Sequence, residues 1–467
     1  MARLGLFWGI LLASITIAAG IVSLSDPTSA WPAVIGCCAL LLVAALVAPQ
    51  HCQGWLSPAA LFVLAGVAYT LPTALTIALQ GVLLDSRLVA DDRVVRGAGL
   101  ALVAWGSAVV GFIPRLGKRN SPPGVGHAGV GQEAAFSVGI AATCQVIAGL
   151  LLVGIFVLQA GGLGAIASAG YGERFQLMEG KGMYLLGLQS IGVGGTIAYA
   201  VAAKGGPRAF RLATAIAFAA LFVWTSAVAS RSALVHALIA LIVVHQGLRG
   251  RIPKAILVGI GSVGLAAGLL VGVLRAGIDL RGVEASILLA GVNPANAEFG
   301  APLPTIGDVM DLVPKEEHFR LGETAVGALG TVVPGWIWPE RPGGAGAWYV
   351  ERLYPDFADI GGAYAFSPVA EAYLNFGVLG VVLGFLLVGF SVGSLQEWSR
   401  EPRLPLSRLV LLAVATPWIL LFPRLDLATF VKGFCVLTVA QAVSTFVFAR
   451  LLRSALNFAS RRAAVPT

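Results

Sequence analysis

Apolar runs of about one bilayer thickness alternate with short polar connections along most of this chain. A helix rises about 1.5 Å per residue, so about 20 apolar residues cross a hydrocarbon core of about 30 Å. Runs of that kind fall at 5–23, 32–48, 58–79, 97–113, 135–159, 183–203, 212–229, 232–247, 255–274, 369–393, 407–423 and 428–449. They predict an all-α polytopic membrane protein of about 12 transmembrane helices, the second, eighth and eleventh being the shortest. One interval breaks the rhythm. Between the ninth and tenth spans lie 92 residues from Arg275 to Phe366, too many for a connection. The organisation expected is therefore helices 1–9 over 1–274, a large loop over 275–367, and helices 10–12 with a tail over 368–467.

Composition agrees with that pattern. Hydrophobic residues make up 57% and charged residues 12%, which excludes a soluble globular domain and a disordered chain alike. The net charge of +8 does not point to nucleic acid, because the cations gather in small groups at the ends of apolar runs. The loop holds 6 Lys+Arg and 12 Asp+Glu, leaving 25 and 11 for the remainder. With the N-terminus inside, 17 Lys+Arg fall on the cytoplasmic side and 8 on the short outer connections. The positive-inside rule then puts both termini in the cytoplasm and the large loop outside. The first span, preceded only by Arg3, reads as an uncleaved helix and not a removable signal. Cys37, Cys38, Cys144 and Cys435 fall in spans and Cys52 in a turn, so the loop has no disulfide framework and no Cys-type zinc site.

Candidate chemistry gathers on the outer side. The tenth span opens Ser367-Pro-Val-Ala-Glu-Ala-Tyr-Leu-Asn375, so Glu371 and Asn375 share a face one turn apart, with Tyr373 between them. That face meets a bundle or a wet cavity unless Glu371 sits solvated at the interface. Further along, Gly380 and Gly384, then Gly389 and Gly393, have the spacing of close helix packing. Arg231 sits in the tight Ser230-Arg231-Ser232 turn, where it either snorkels or offers a bidentate fork to phosphate. Arg275 and Arg424 lie at the same depth and join it as pyrophosphate-binding candidates. Within the loop, Val333-Pro-Gly-Trp-Ile-Trp-Pro-Glu-Arg-Pro342 reads as a rigid irregular segment. Its Trp336 and Trp338 are candidates for stacking on sugar, or members of an interfacial belt. Tyr373 and Asn375 complete the glycan-binding candidates. The catalytic candidates are Glu371, Arg341 and His318, the loop's one histidine. Asp308 and Asp311, three apart with no partner histidine, make weak metal ligands, and no metal or other cofactor is expected.

The Ser230-Arg231-Ser232 turn, the PGWIWPERP segment and above all SPVAEAYLNFGVLG resemble the oligosaccharide repeat-unit polymerases of the O-antigen and capsule pathways. The resemblance covers about 170–395 in detail. It implies a lipid-carrier-dependent glycosyltransferase of the GT-C type in the bacterial cytoplasmic membrane, working at its outer face. Its substrates would be undecaprenyl-pyrophosphate-linked repeat units, with a chain-length regulator as protein partner and no nucleic acid. The related O-antigen ligases carry a His-Asn pair eleven and ten residues before the first Gly of this helix. Here those positions are Phe366 and Ser367, which favours a polymerase and leaves the general base open between His318 and Glu371. An exporter of lipid-linked glycan or a ligase is the alternative.

Overall fold

A computed structural model describes residues 2–48, 56–83, 92–116, 132–169, 177, 182–228, 232–250, 252–253, 259, 299–333, 337–338, 340–359, 362, 364–400 and 404–463. In chain order its principal helices are α1 (Ala2–Ser25), α2 (Trp31–Val47), α3 (Pro58–Leu83), α4 (Asp92–Leu116), α5 (Gln132–Gln159), α6 (Gly182–Ala203), α7 (Arg208–Val228) and α8 (Ser232–Arg249). The loop contributes α9 (Pro302–Leu312), α10 (Glu323–Gly330) and α11 (Ala345–Leu353). Then come α12 (Pro368–Trp398), α13 (Leu406–Leu421) and α14 (Ala440–Ala463). There is no strand among the described residues.

Ten helices among the described residues are long and apolar enough to cross a membrane, and α2 is a shorter apolar helix of 17 residues. Eleven of the twelve expected spans therefore coincide with an apolar helix. The ninth, at 255–274, lies outside the described residues except for Gly259. The large loop is not irregular throughout: α9, α10 and α11 are helices that a reading by apolar run length passes over.

The chain forms two compact units. One comprises Met1–Pro123, Lys254–Glu401 and Ile419–Lys432; the other comprises Gly124–Pro253, Pro402–Trp418 and Gly433–Thr467. The second unit packs α5–α8 with most of α13 and with α14 around cores that include Ile197, Val201, Val243 and Val410. The chain enters it through the π-helical stretch Val431–Val439, just before α14.

The first unit holds the loop. α1 and α4 run antiparallel and nearly touch: a Cβ on Gly20 would lie 2.6 Å from the Gly99 carbonyl, and one on Gly99 would lie 2.8 Å from that of Gly20. α4 and α12 run parallel. Gly389 sits directly on the Ala108 carbonyl, and Gly393 lies against Phe112, so this pair of glycines packs helices as its spacing predicted. The other pair does not. Gly380 lies over the Ala372 carbonyl of its own helix, and among the described residues nothing stands closer to a Cβ on Gly384 than Ala372 at 4.0 Å. At the far end Arg115 pairs with Glu397 at 2.8 Å and stacks over Phe390. At the near end α9 lies across the start of α4, where a Cβ on Gly97 would come within 2.5 Å of the Leu303 carbonyl. Arg93 reaches Asp308 at 3.2 Å and Arg96 reaches Asp311 at 3.0 Å. These part-exposed pairs contribute only about 0–1 kcal/mol each; their use is to fix the loop over the end of α4.

Candidate functional site

The site is built where α12 begins. Ser367 caps the helix, its hydroxyl accepting from the Val369 N–H at 3.2 Å, and Pro368 at the first helical position has no N–H to orphan. Glu371 follows in the first turn, a placement the helix dipole favours. Two turns in, the helix breaks. Phe376 (φ −142°, ψ 20°) and Gly377 (φ 62°, ψ −154°) leave helical geometry, and the Gly377 conformation is one that only glycine adopts readily. The expected continuous helix over 369–393 is thus two helices end to end.

The break frees carbonyls, and the loop takes them up. The Arg320 N–H donates to the Leu374 carbonyl at 3.0 Å, and the Leu321 N–H to that of Asn375 at 3.2 Å. The Asn375 side chain completes the join. Its Oδ1 accepts from the Gly322 N–H at 2.8 Å, while its Nδ2 donates to Thr324 Oγ1 at 2.7 Å and to the Glu371 carbonyl at 2.8 Å. One amide therefore ties α10 to the first turn of α12. A buried amide left with unmet groups would cost about 1–3 kcal/mol. Here three of its four bonds are made.

Glu371 points at the turn after α13. Its Oε2 accepts from the Leu427 N–H at 2.5 Å. Its Oε1 is buried and makes no hydrogen bond of ordinary geometry among the described residues, although the Thr324 hydroxyl stands close enough to act on the carboxyl. The residue is 5% exposed, so the solvated-interface alternative is set aside and the face it shares with Asn375 is turned into the protein. The preceding residue of the turn, Asp426, is also 5% exposed. Its Oδ2 accepts from the Gly346 N–H at 3.0 Å, and its Oδ1 caps the following turn from the Thr429 N–H at 2.9 Å. Gly346 belongs to α11. Gly344, just before it, has to be small, because a Cβ there would lie 2.6 Å from Asp426 Oδ2. Three segments remote in sequence, the loop, the start of α12 and the 425–427 turn, thus meet on two buried carboxylates.

The other sequence candidates fall at varying distances from this centre. Arg341 is half-buried and donates to the carbonyls of Gly330 at 3.2 Å and Val333 at 2.5 Å, so it ties its own end of the PGWIWPERP segment back to the end of α10. Trp338, in the same turn, lies over Gly330. Tyr373 donates to the Val313 carbonyl at 3.4 Å and packs against Phe319. His318 is exposed, just before the Arg320 join. Arg424 ends a 3-10 turn two residues before Asp426. Arg231, Arg275 and Trp336 lie outside the described residues. Phe366 and Ser367, which stand where ligases carry His and Asn, serve structure here, Phe366 buried against Tyr349 and Ser367 as the cap. Asp308 and Asp311 are taken up by Arg93, Arg96, Lys315 and Tyr349. Burial and the adjoining Asp308 carboxylate push the Tyr349 phenol up from its ordinary pKa. No group of three or more His, Cys, Asp or Glu gathers among the described residues.

Sequence reasoning missed Asp426. One signal was present: it is the only acidic residue after Glu401, in a segment whose other charges are all basic. Thr324 and the Arg320–Gly322 join were missed too, because their role depends on the break in α12.

No curated protein and no solved structure matches the chain. The model of the family described as O-antigen polysaccharide polymerase Wzy matches residues 344–452. That stretch opens at the glycine against Asp426 and contains both buried carboxylates, the broken helix and the last two spans. The match supports the O-antigen polymerase family that the motifs resemble, in a multi-pass membrane protein.

Proposed function

We propose that the protein joins lipid-pyrophosphate-linked oligosaccharide repeat units into a polysaccharide at the outer face of the cytoplasmic membrane, with Glu371 as the general base. The observation that carries this reading is the Glu371 carboxylate, one oxygen anchored by the Leu427 N–H and the other buried, beside the Thr324 hydroxyl, with no hydrogen bond of ordinary geometry among the described residues. A buried, unmet carboxylate oxygen is costly, and a charged group kept inside a membrane protein at that cost is a default candidate for function. The family match supports polymerisation of this general kind.

In this reading a hydroxyl of the acceptor repeat unit gives its proton to Glu371 Oε1 while its oxygen bonds to the anomeric carbon of the donor glycan. The bond from that carbon to pyrophosphate breaks, and lipid pyrophosphate leaves with the electron pair. The configuration inverts. Arg231, Arg275 and Arg424 are proposed to offset the charge growing on the leaving pyrophosphate, where fixed cations gain most. Trp336 and Trp338 are proposed to hold the glycan. Asn375 is proposed to act as a positioning residue, holding Thr324 and the first turn of α12 in register. Thr324 lies beside the Glu371 carboxyl, so acceptor entry to Oε1 is proposed to pass through a displacement of α10.

The test is reconstitution. Purified protein in vesicles, given lipid-pyrophosphate-linked repeat units and no nucleotide sugar, should produce longer lipid-linked glycans. Translocation of the lipid-linked glycan without lengthening would instead establish an exporter.

A further inference from the structure

We infer that the loop helix α10, together with the Trp338 turn, lies in the outer leaflet of the bilayer, its exposed face against acyl chains. The two faces of the helix differ. Thr324, Gly327, Ala328 and Gly330 are turned into the protein, where a Cβ on Gly327 would come within 2.9 Å of the carbonyls of Pro342 and Gly343. On the outward side of the helix Val326 is 52% exposed and Leu329 69%, and in the flanking chain Leu321 is 75% exposed and Ile337 56%. An aqueous loop rarely leaves that many large apolar side chains on one surface.

What covers this surface follows from its continuity with a spanning helix. At its break α12 exposes Phe376, and past it Leu379, Leu383, Leu387 and Phe390, a helical stripe on a segment apolar enough to cross the bilayer. The ring of Phe376 stands 3.5 Å from where a Cβ on Gly322 would be, so the stripe runs unbroken onto Leu321 and α10. The backbone meets the demand of the apolar phase as well. The Arg320 and Leu321 N–H groups are bonded to α12, and α10 closes its own, which a segment at that depth requires. Trp338 beside Gly330 suits the headgroup boundary. The charged groups nearby are Arg320, which pairs with Glu317 and with Glu323 in the first turn of α10, Arg352, which pairs with Glu316 and Glu317, and the exposed Glu340 two residues after Trp338, a set placed at the headgroup level. One consequence rests on the polymerase reading above. Because Thr324, on the inner face of α10, lies beside Glu371, the depth of α10 sets the carboxylate at the headgroup level, where the pyrophosphate of a lipid carrier lies.

Spin labels on single cysteines at Val326, Leu329, Leu383 and Glu316, in a full chain whose five native cysteines are replaced, test this. The protein would sit in phosphatidylethanolamine–phosphatidylglycerol vesicles with no substrate. Labels at Val326 and Leu329 should relax more with oxygen than with a water-soluble nickel chelate, as the label at Leu383 does; the label at Glu316 should show the reverse. Nickel preference at Leu329 equal to that at Glu316 would put α10 in water. Exclusion of both agents at Leu329 would mean that a second copy or another protein covers it, and would equally overturn the inference. Neither result depends on turnover, so failure here is separable from failure of the polymerase reading.

Discussion

Gly377→Ala tests whether the break in α12 is what holds the site together. In the wild type Gly377 has φ 62° and ψ −154°, a region where a Cβ costs about 1–3 kcal/mol. Its Cβ would also meet the Phe319 ring at 3.3 Å, close enough that the ring has to give. The chain can escape the strain by continuing the helix through 376–377. That route requires the carbonyls of Leu374 and Asn375 to leave the N–H groups of Arg320 and Leu321, at about 1 kcal/mol net each. Either way the cost is about 2–4 kcal/mol, and the second way detaches the 320–324 segment from α12. Thermal unfolding in detergent should show a midpoint several degrees lower, and hydrogen exchange should speed up at Arg320 and Leu321 while the Arg115 end of α4 is unchanged. Glycan elongation in vesicles should fall with it. An unchanged midpoint with unchanged exchange at 320–321 would refute the account of the break.

Other perturbations separate structure from chemistry. Asp426→Asn keeps one acceptor oxygen for two N–H donors, Gly346 and Thr429, so it should destabilise by about 1–3 kcal/mol, read as a lower unfolding midpoint. Gly389→Val forces a side chain against the Ala108 backbone and should cost at least about 1–3 kcal/mol by overpacking, with the purified protein less heat-stable and its residual turnover per folded molecule unchanged. Arg231→Lys keeps charge but loses the two-pronged fork. If it holds carrier phosphate, elongation should drop about 10- to 100-fold, the equivalent of a charge-assisted bond of about 1.5–3 kcal/mol, with the protein still inserted and folded.

The spans were legible because bilayer thickness imposes a run length that few other constraints imitate; even the short second span appears as the 17-residue α2. Glu371 and Asn375 were legible as a shared face, since that follows from helical period alone. The break at Phe376–Gly377 was not. Gly377 stands among Gly380, Gly384, Gly389 and Gly393, and spacing alone does not tell a packing glycine from one with positive φ; the Arg320–Gly322 partner that fixes the break lies about 55 residues upstream. Arg93 and Arg96 were counted only as orientation charges, and Asp308 and Asp311 only as weak metal ligands, because nothing local signals that the four pair with one another. Asp426 escaped for the same reason: its remote partner Gly346, and the Glu371 carboxylate held by the adjoining Leu427 N–H, come to it only through the fold.

The most direct test of Glu371 as general base is Glu371→Gln in reconstituted vesicles, with substrate binding and elongation measured on the same preparation. The amide keeps an oxygen for the Leu427 N–H and the volume of the side chain, so the fold should lose no more than about 1–2 kcal/mol. It cannot take a proton, so elongation should fall about 10²- to 10⁴-fold, with binding of the lipid-linked repeat unit within a few-fold of wild type, the pattern of an interaction used only in the transition state. Wild-type elongation in the Gln variant, or a loss explained wholly by weaker binding, would contradict the role given to Glu371.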